Sequence, residues 1–165
     1  MATADLTESD GVLVRETGGG RFQVEVQAGG QTFRADEPVS AGGDGTGPNP
    51  YELLAAGLGA CTAMTLRLYA ERKGWALKRA EVRVLHVRPA LAARDRFARE
   101  ISLEGDLDDD QRHRLLEIAN RCPVHLTLER GADVITTMVQ NHQDIEDRDP
   151  LPDSHMRLMR EACAD

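Results

Sequence analysis

The residues of this 165-residue chain best suited to covalent chemistry are two cysteines, Cys61 and Cys122, far apart in sequence and each among apolar neighbours. A thiol acts as a nucleophile only as a thiolate. An ordinary cysteine, with a pKa of about 8.5, stays protonated at neutral pH unless a cation or a helix N-terminus stabilises the charge. Neither residue belongs to a CxxC unit. A buried cysteine can also be a small apolar filler, so residue type alone leaves inert packing open beside redox chemistry. His125, three residues beyond Cys122, could stabilise a thiolate from one helical turn away or be a half-exposed helix histidine. Ligation of a soft metal by Cys61, Cys122 and His125 is disfavoured, because structural zinc wants four ligands and no fourth is apparent. Cys163, in an acidic tail, is expected to be a bystander.

Helices must position these thiols. Asn49 suits an N-cap, Pro50 the first helical position and Glu52 the capping-box carboxylate, while Gly74 can close the helix in the left-handed conformation. From Leu53 to Met64 almost every residue is apolar or small, which predicts a buried helix. The apolar run is shorter than the roughly 20 residues a bilayer needs, so a protein core or a subunit interface is expected rather than a membrane. Cys61 lies deep inside this helix, where the dipole cannot help it and a guanidinium from elsewhere is required. A second helix starts near Asp108, with Asp109 and Asp110 in its first turn, Gln111 at the capping-box position and Leu115, Ile118, Ala119 and Cys122 as its stripe. Pro123 ends it and can begin a new turn at Val124-His125-Leu126, which puts Cys122 near a helix N-terminus.

Strands fill the rest. Residues 12–15 and 21–27 form a hairpin across Gly18-Gly19-Gly20, and residues 31–35 add a third strand, with Phe22, Val24 and Val26 on the buried face and Phe33 nearby. The Gly-rich loop 38–48 matches neither the P-loop nor the dinucleotide fingerprint, so phosphate binding is not expected. Residues 80–87 and 96–103 form another hairpin, and 134–139 a last strand. The organisation expected is a loose N-terminus over 1–10, one domain over 11–139 and a polar extension over 140–165 with a short amphipathic helix around Met156 and Leu158. Twenty Lys+Arg against 28 Asp+Glu give a net charge of -8, with no basic cluster to attract nucleic acid. The N-terminal residues lack the pattern of a secretory signal, which points to the cytoplasm and to reduced thiols.

The run Gly47-Pro48-Asn49-Pro50-Tyr51-Glu52-Leu53-Leu54-Ala55-Ala56 through Ala60-Cys61, with Cys122-Pro123-Val124 following, resembles the OsmC/Ohr family of osmotically inducible and organic-hydroperoxide-resistance proteins. The resemblance implies an α+β fold in which antiparallel sheets pack around a long central helix and a second helix. It also implies an intertwined homodimer with two active sites at the interface and no cofactor. The activity implied is thiol-dependent peroxide reduction. Cys61 attacks an organic hydroperoxide to give a sulfenic acid, Cys122 condenses with it to a disulfide, and an external dithiol such as a lipoyl group resets the pair. Arg21 is the match for the family's activating arginine, with Arg15 and Arg34 as alternatives. The family's glutamate falls ten residues before the cysteine, where this chain has Tyr51, and the carboxylate here is Glu52. At about 100° per residue Glu52 points away from Cys61 and Tyr51 lies nearer, so Glu52 is either capping residue or catalytic group, with the Tyr51 hydroxyl as a substitute. An alternative keeps the fold without the chemistry, as a binding module whose apolar pocket holds a small hydrophobic ligand.

Overall fold

The computed structural model describes residues 11–138 and 154–164. The chain forms two compact units, one carrying the N-terminal residues up to Pro50 together with residues from Val134, the other running from Tyr51 to Asp133 and resuming at His155. The expected loose N-terminus, 1–10, lies outside the described residues, as do Val139 and most of the extension.

In the first unit β1 (Leu13–Glu16), β2 (Val24–Ala28) and β3 (Gln31–Ala35) make an antiparallel sheet in that order. Gly29 and Gly30 join β2 to β3 with φ of 57° and 74°, the pair of left-handed residues that a two-residue hairpin matched to strand twist requires. Val26, paired with Phe33, is buried as expected, but Phe22 and Phe33 are 40% and 39% exposed. The buried place before β2 goes instead to Gln23, whose side chain accepts from the Thr17 hydroxyl at 2.7 Å and donates to the Thr46 hydroxyl at 2.9 Å. A buried amide is tolerated where its polar atoms are satisfied, and hydrophobicity patterns cannot foresee it.

The Gly-rich loop is gathered on Asp36. Its buried carboxylate accepts from the amides of Glu37, Asp44 and Thr46 and from the Thr46 hydroxyl at 2.8 to 3.2 Å. Two of the loop's amides that could have held an anion are thus engaged by the chain itself. Residues 131–138 form no regular element, so the strand expected over 134–139 is absent across its described part. Val134 and Met138 there are almost fully exposed, because alternation specifies a strand only when a neighbouring strand takes up its hydrogen bonds.

In the second unit α1 (Pro50–Lys73) closes on Gly74 at φ 65° and leads into the antiparallel hairpin of β4 (Ala76–Val87) and β5 (Arg96–Asp106). Then come α2 (Asp109–Ala119), α3 (Pro123–Arg130) and, later in the chain, α4 (Ser154–Ala162). The Asp108 side chain and Gln111 form the reciprocal capping box at the start of α2. Leu66, Tyr69 and Ala70 of α1 pack with Leu77, Leu115 and Ile118 in the main core. Gly59 faces β4, where a Cβ would stand 3.4 Å from the Val84 side chain, so its lack of one lets the helix lie close to the hairpin.

The helix is not buried all round, as its composition suggested. Leu58, Cys61, Thr62, Thr65, Leu66 and Tyr69 line the covered stripe, while Leu54 and Met64 are 47% and 52% exposed. By length and composition α1 could cross a bilayer, but its covered stripe is that of a core helix. The fold is α+β, with antiparallel sheets and, among the described residues, four α-helices.

Candidate functional site

Both sulfurs meet at the N-terminus of α3. Cys122 is its N-cap, in extended conformation with Pro123 at the first helical position, and the amide of His125 donates to Cys122 Sγ at 3.3 Å. Cys61 comes from the covered face of α1, and the amide of Val124 donates to its Sγ at 3.4 Å. Two of the unpaired amides that begin a helix are therefore each given to a sulfur, where the dipole favours negative charge. Cys61 and Cys122 are buried beside Leu58, with Val84, Phe97, Val124 and Leu128 around them, and are unbonded cysteines close enough for each to shift the other's ionisation.

The pair is electrically uneven. The hydrogen bond from Cys61 pulls the Cys122 thiol down, burial opposes this, and the Thr62 hydroxyl, the His125 amide and the charge of Arg99 add to the lowering, leaving Cys122 at about 5. The same hydrogen bond and burial push Cys61 up, against the Val124 amide and the Thr65 hydroxyl. The resting pair accordingly carries one negative charge, centred on Cys122.

Arg99 is the guanidinium that the sequence reading required without finding. It stands on the face of β5 that also carries Phe97, Ile101 and Leu103. It donates to the Thr62 hydroxyl at 2.9 Å, the Ala119 carbonyl at 2.8 Å, Asn120 Oδ1 at 2.8 Å and His125 Nδ1 at 3.0 Å. Thr62 relays it, its hydroxyl lying 2.7 Å from the Leu58 carbonyl and 3.6 Å from Cys122 Sγ. The signal was visible as a cation in the apolar register of an alternating strand.

The other expected residues are placed differently. Arg21 is in the first unit with its guanidinium 4.9 Å over the Phe22 ring. Glu52 is exposed, and nine residues of continuous helix set it about 14 Å along the axis from Cys61. Tyr51 stacks on His86 at 4.2 Å, and its hydroxyl is hydrogen-bonded to Arg88. His86 and Arg88 both reach Asp95, at 2.7 and 3.4 Å, which fixes that cluster at the start of α1. His125 touches Cys122 through its backbone, while its ring lies between Arg99 and Glu129.

One contact had no counterpart in the sequence reading. Nε2 of His155, in α4, lies 3.2 Å from Cys61 Sγ. His155, Met159 and Cys163 recur every four residues and face inward, Met159 and Cys163 being 1% exposed, whereas Leu158 is 41% exposed. Cys163 is thus a core residue rather than part of a loose tail. Its thiol donates to the Thr65 carbonyl at 3.7 Å, and burial pushes its pKa up.

A cavity of about 170 Å³ is lined by Leu58, Phe97 and Leu128, residues that also pack around the pair, and by the polar groups Arg94, Asp95, Arg99, His125 and Glu129. Among the described residues no group of three or more His, Cys, Asp or Glu side chains could hold a metal ion.

A family model described as OsmC-like protein matches residues 43–137. The OsmC like protein of Mycoplasma pneumoniae is 17% identical and covers 74% of this chain and 88% of its own, with a TM-score of 0.62. The organic hydroperoxide resistance protein OhrB of Bacillus subtilis is 23% identical over 71% of this chain and 88% of its own, at 0.51. The organic hydroperoxide resistance protein OsmC of Legionella pneumophila is 22% identical over 71% and 86%, at 0.50. At these identities the likeness is one of fold. No curated protein matches the chain significantly. His155 lies beyond the segment that the family model covers.

Proposed function

The chain belongs to the OsmC-like family, and on that premise we propose that it is a thiol-dependent peroxidase acting on organic hydroperoxides. The observation that carries the reading is the pair itself: two thiols sixty-one residues apart in sequence lie in one buried apolar cluster, each taking an amide of the same helix N-terminus. The Cys61 thiolate attacks the terminal peroxide oxygen, an S–O bond forms, the O–O bond breaks and the alkoxide leaves, to be protonated to the alcohol. Sulfur is oxidised by two electrons to a sulfenic acid as the peroxide is reduced. Cys122 then attacks the sulfenic sulfur, forming the disulfide and releasing water. An external dithiol, of lipoyl type or another, exchanges with the disulfide and returns both thiols. The names of the structural relatives support the substrate class, and the apolar cluster around the pair suits an organic peroxide.

The active unit in this reading is a cytoplasmic homodimer. Glu52 stands about 14 Å along its own helix from Cys61, so in this reading a second copy supplies it to that sulfur, and Arg21 is assigned to the same assembled site. The exposed apolar face of α1 supports such an assembly.

Peroxide consumption with a dithiol donor tests the reading in wild type, Cys61→Ser and Cys122→Ser. Turnover is expected to vanish in Cys61→Ser, while Cys122→Ser should react once and leave a sulfenic acid that a dimedone-type reagent traps. Turnover in Cys61→Ser would hand the attack to Cys122. A chain that keeps both thiols after one equivalent of cumene hydroperoxide is a binder and not an enzyme.

A further inference from the structure

The proposed chemistry leaves one difficulty. Cys61 is assigned the attack, yet the donors gathered by Arg99 and Thr62 hold the negative charge at Cys122 and leave the proton on Cys61. A cation at the Cys61 end of the pair can reverse this, and among the described residues of this chain α4 brings a side chain placed to do so. We propose that His155 is a further catalytic residue: as an imidazolium 3.2 Å from Cys61 Sγ, it draws the shared charge onto Cys61 and then protonates the alkoxide that leaves.

The inference rests on the peroxidase reading for its last step only. Before reaction the sulfurs hold one proton between them, and moving it from Cys61 to Cys122 creates and removes no net charge. A cation beside Cys61 competes with Arg99, which acts on Cys122 through Thr62, so the proton's position follows the balance of the two ends. When Cys61 attacks, its sulfur gains the terminal oxygen, the O–O bond breaks and the alkoxide takes the proton of His155, leaving neutral imidazole. Cys122, now a thiol, condenses with the sulfenic acid and its own proton leaves in the water formed. His155 recovers its proton from solvent.

Packing makes the contact a built one. Met159 and Cys163, one and two steps of four residues beyond His155, are buried, and Arg72 of α1 donates to the Cys163 carbonyl. Among the described residues, Arg99 from β5 bears on the Cys122 end and His155 on the Cys61 end, the His125 ring accepts from Arg99, and Arg157 and Glu161 on α4 pair with each other in solvent at 3.1 Å.

Mass-spectrometric mapping of iodoacetamide labelling in the reduced protein tests this without any peroxide. In His155→Gln the ratio of Cys61 to Cys122 labelling should fall about tenfold or more, the scale of one charge-assisted hydrogen bond. Cys163 should stay protected, reporting that α4 is still docked. In His155→Ala, added imidazole should restore both the ratio and peroxide turnover. An unchanged ratio in His155→Gln overturns the proposal, and so does a loss that imidazole fails to reverse, since that would mean a packing role. Absence of turnover in the wild type, with the labelling shift intact, would instead overturn the peroxidase reading and leave the charge transfer standing.

Discussion

One buried proton shared by two sulfurs fixes what the pair can do at a given pH. Cys122 should titrate near pH 5 rather than near the ordinary 9.0, because Cys61, Thr62, the His125 amide and Arg99 all favour its thiolate. Its alkylation rate in a Cys61-intact chain should therefore be flat from pH 7 to 9 and fall only on the acid side, and Arg99→Met should move that fall upward. A profile centred near 9 in the wild type would remove the thiolate assignment. The same residue ties redox chemistry to stability. A depressed folded value contributes stability that is complete above 9.0 and fades as pH drops through about 5. Cys61, shifted upward, contributes below 9.0 and loses that contribution as pH rises beyond it. Denaturation of the reduced protein should thus show stability rising from about pH 5 toward 9, with the slope removed in Cys122→Ser. The two thiols were legible because cysteines inside apolar helical patterns are conspicuous in a sequence. Their partners were not, since Arg99 reaches Thr62 from 37 residues away in sequence and His155 reaches Cys61 from 94, and nothing in one chain's pattern encodes which strand faces which helix.

Elements with chemical punctuation were the ones that could be read. The Asn49-Pro50 start and Gly74 stop bound α1, and Asp108 with Gln111 began α2 where expected, because caps are local interactions between neighbours. That capping box makes a direct prediction: Asp108→Ala should cost about 1 kcal/mol, or about 2–4 °C in Tm for a chain of this size, without altering thiol reactivity. Strand 134–139 failed as an expectation for the opposite reason, since alternation names a face but supplies no partner. The amphipathic helix around Met156 and Leu158 was found at α4, yet its inward face is His155, Met159 and Cys163. Several flanking residues there are polar, which hid the stripe. Because α4 is only nine residues long, docking rather than propensity holds it. Met159→Ala removes a side chain 1% exposed, at about 2–5 kcal/mol for such a truncation. That is enough to release a short helix, so Cys163 should become open to alkylation and Cys61 should lose its imidazole at the same time. Continued protection of Cys163 would show that Arg72 and the remaining contacts suffice.

Whole-molecule behaviour turns on apolar surface that one chain leaves uncovered. α1 presents Met64 to solvent on the side away from its packed stripe and Leu54 one turn before Leu58, beyond the covered part of the stripe, and among the described residues Val134, Ile135 and Met138 are likewise exposed. A monomer with a net charge of -8 gains solubility from that charge, but it has no reason to display a helix whose outer face is apolar and small. In the proposed homodimer a second copy of the chain covers this surface, and the same copy supplies the Glu52 assigned to Cys61. Sedimentation of the reduced protein should give about 36 kDa, twice the 18.1 kDa chain, consistent with the roughly 1,200–2,000 Å² that a specific interface buries. Two chains of like charge repel across any shared face, so raising salt should tighten the association while weakening no contact that holds it. Leu54→Glu with Met64→Glu should give an 18.1 kDa species whose circular dichroism is unchanged, because neither side chain belongs to the packed stripe. If that monomer keeps full peroxide turnover, Glu52 and Arg21 have no part in the reaction, and the site consists of Cys61, Cys122 and the groups from β5, α3 and α4 around them.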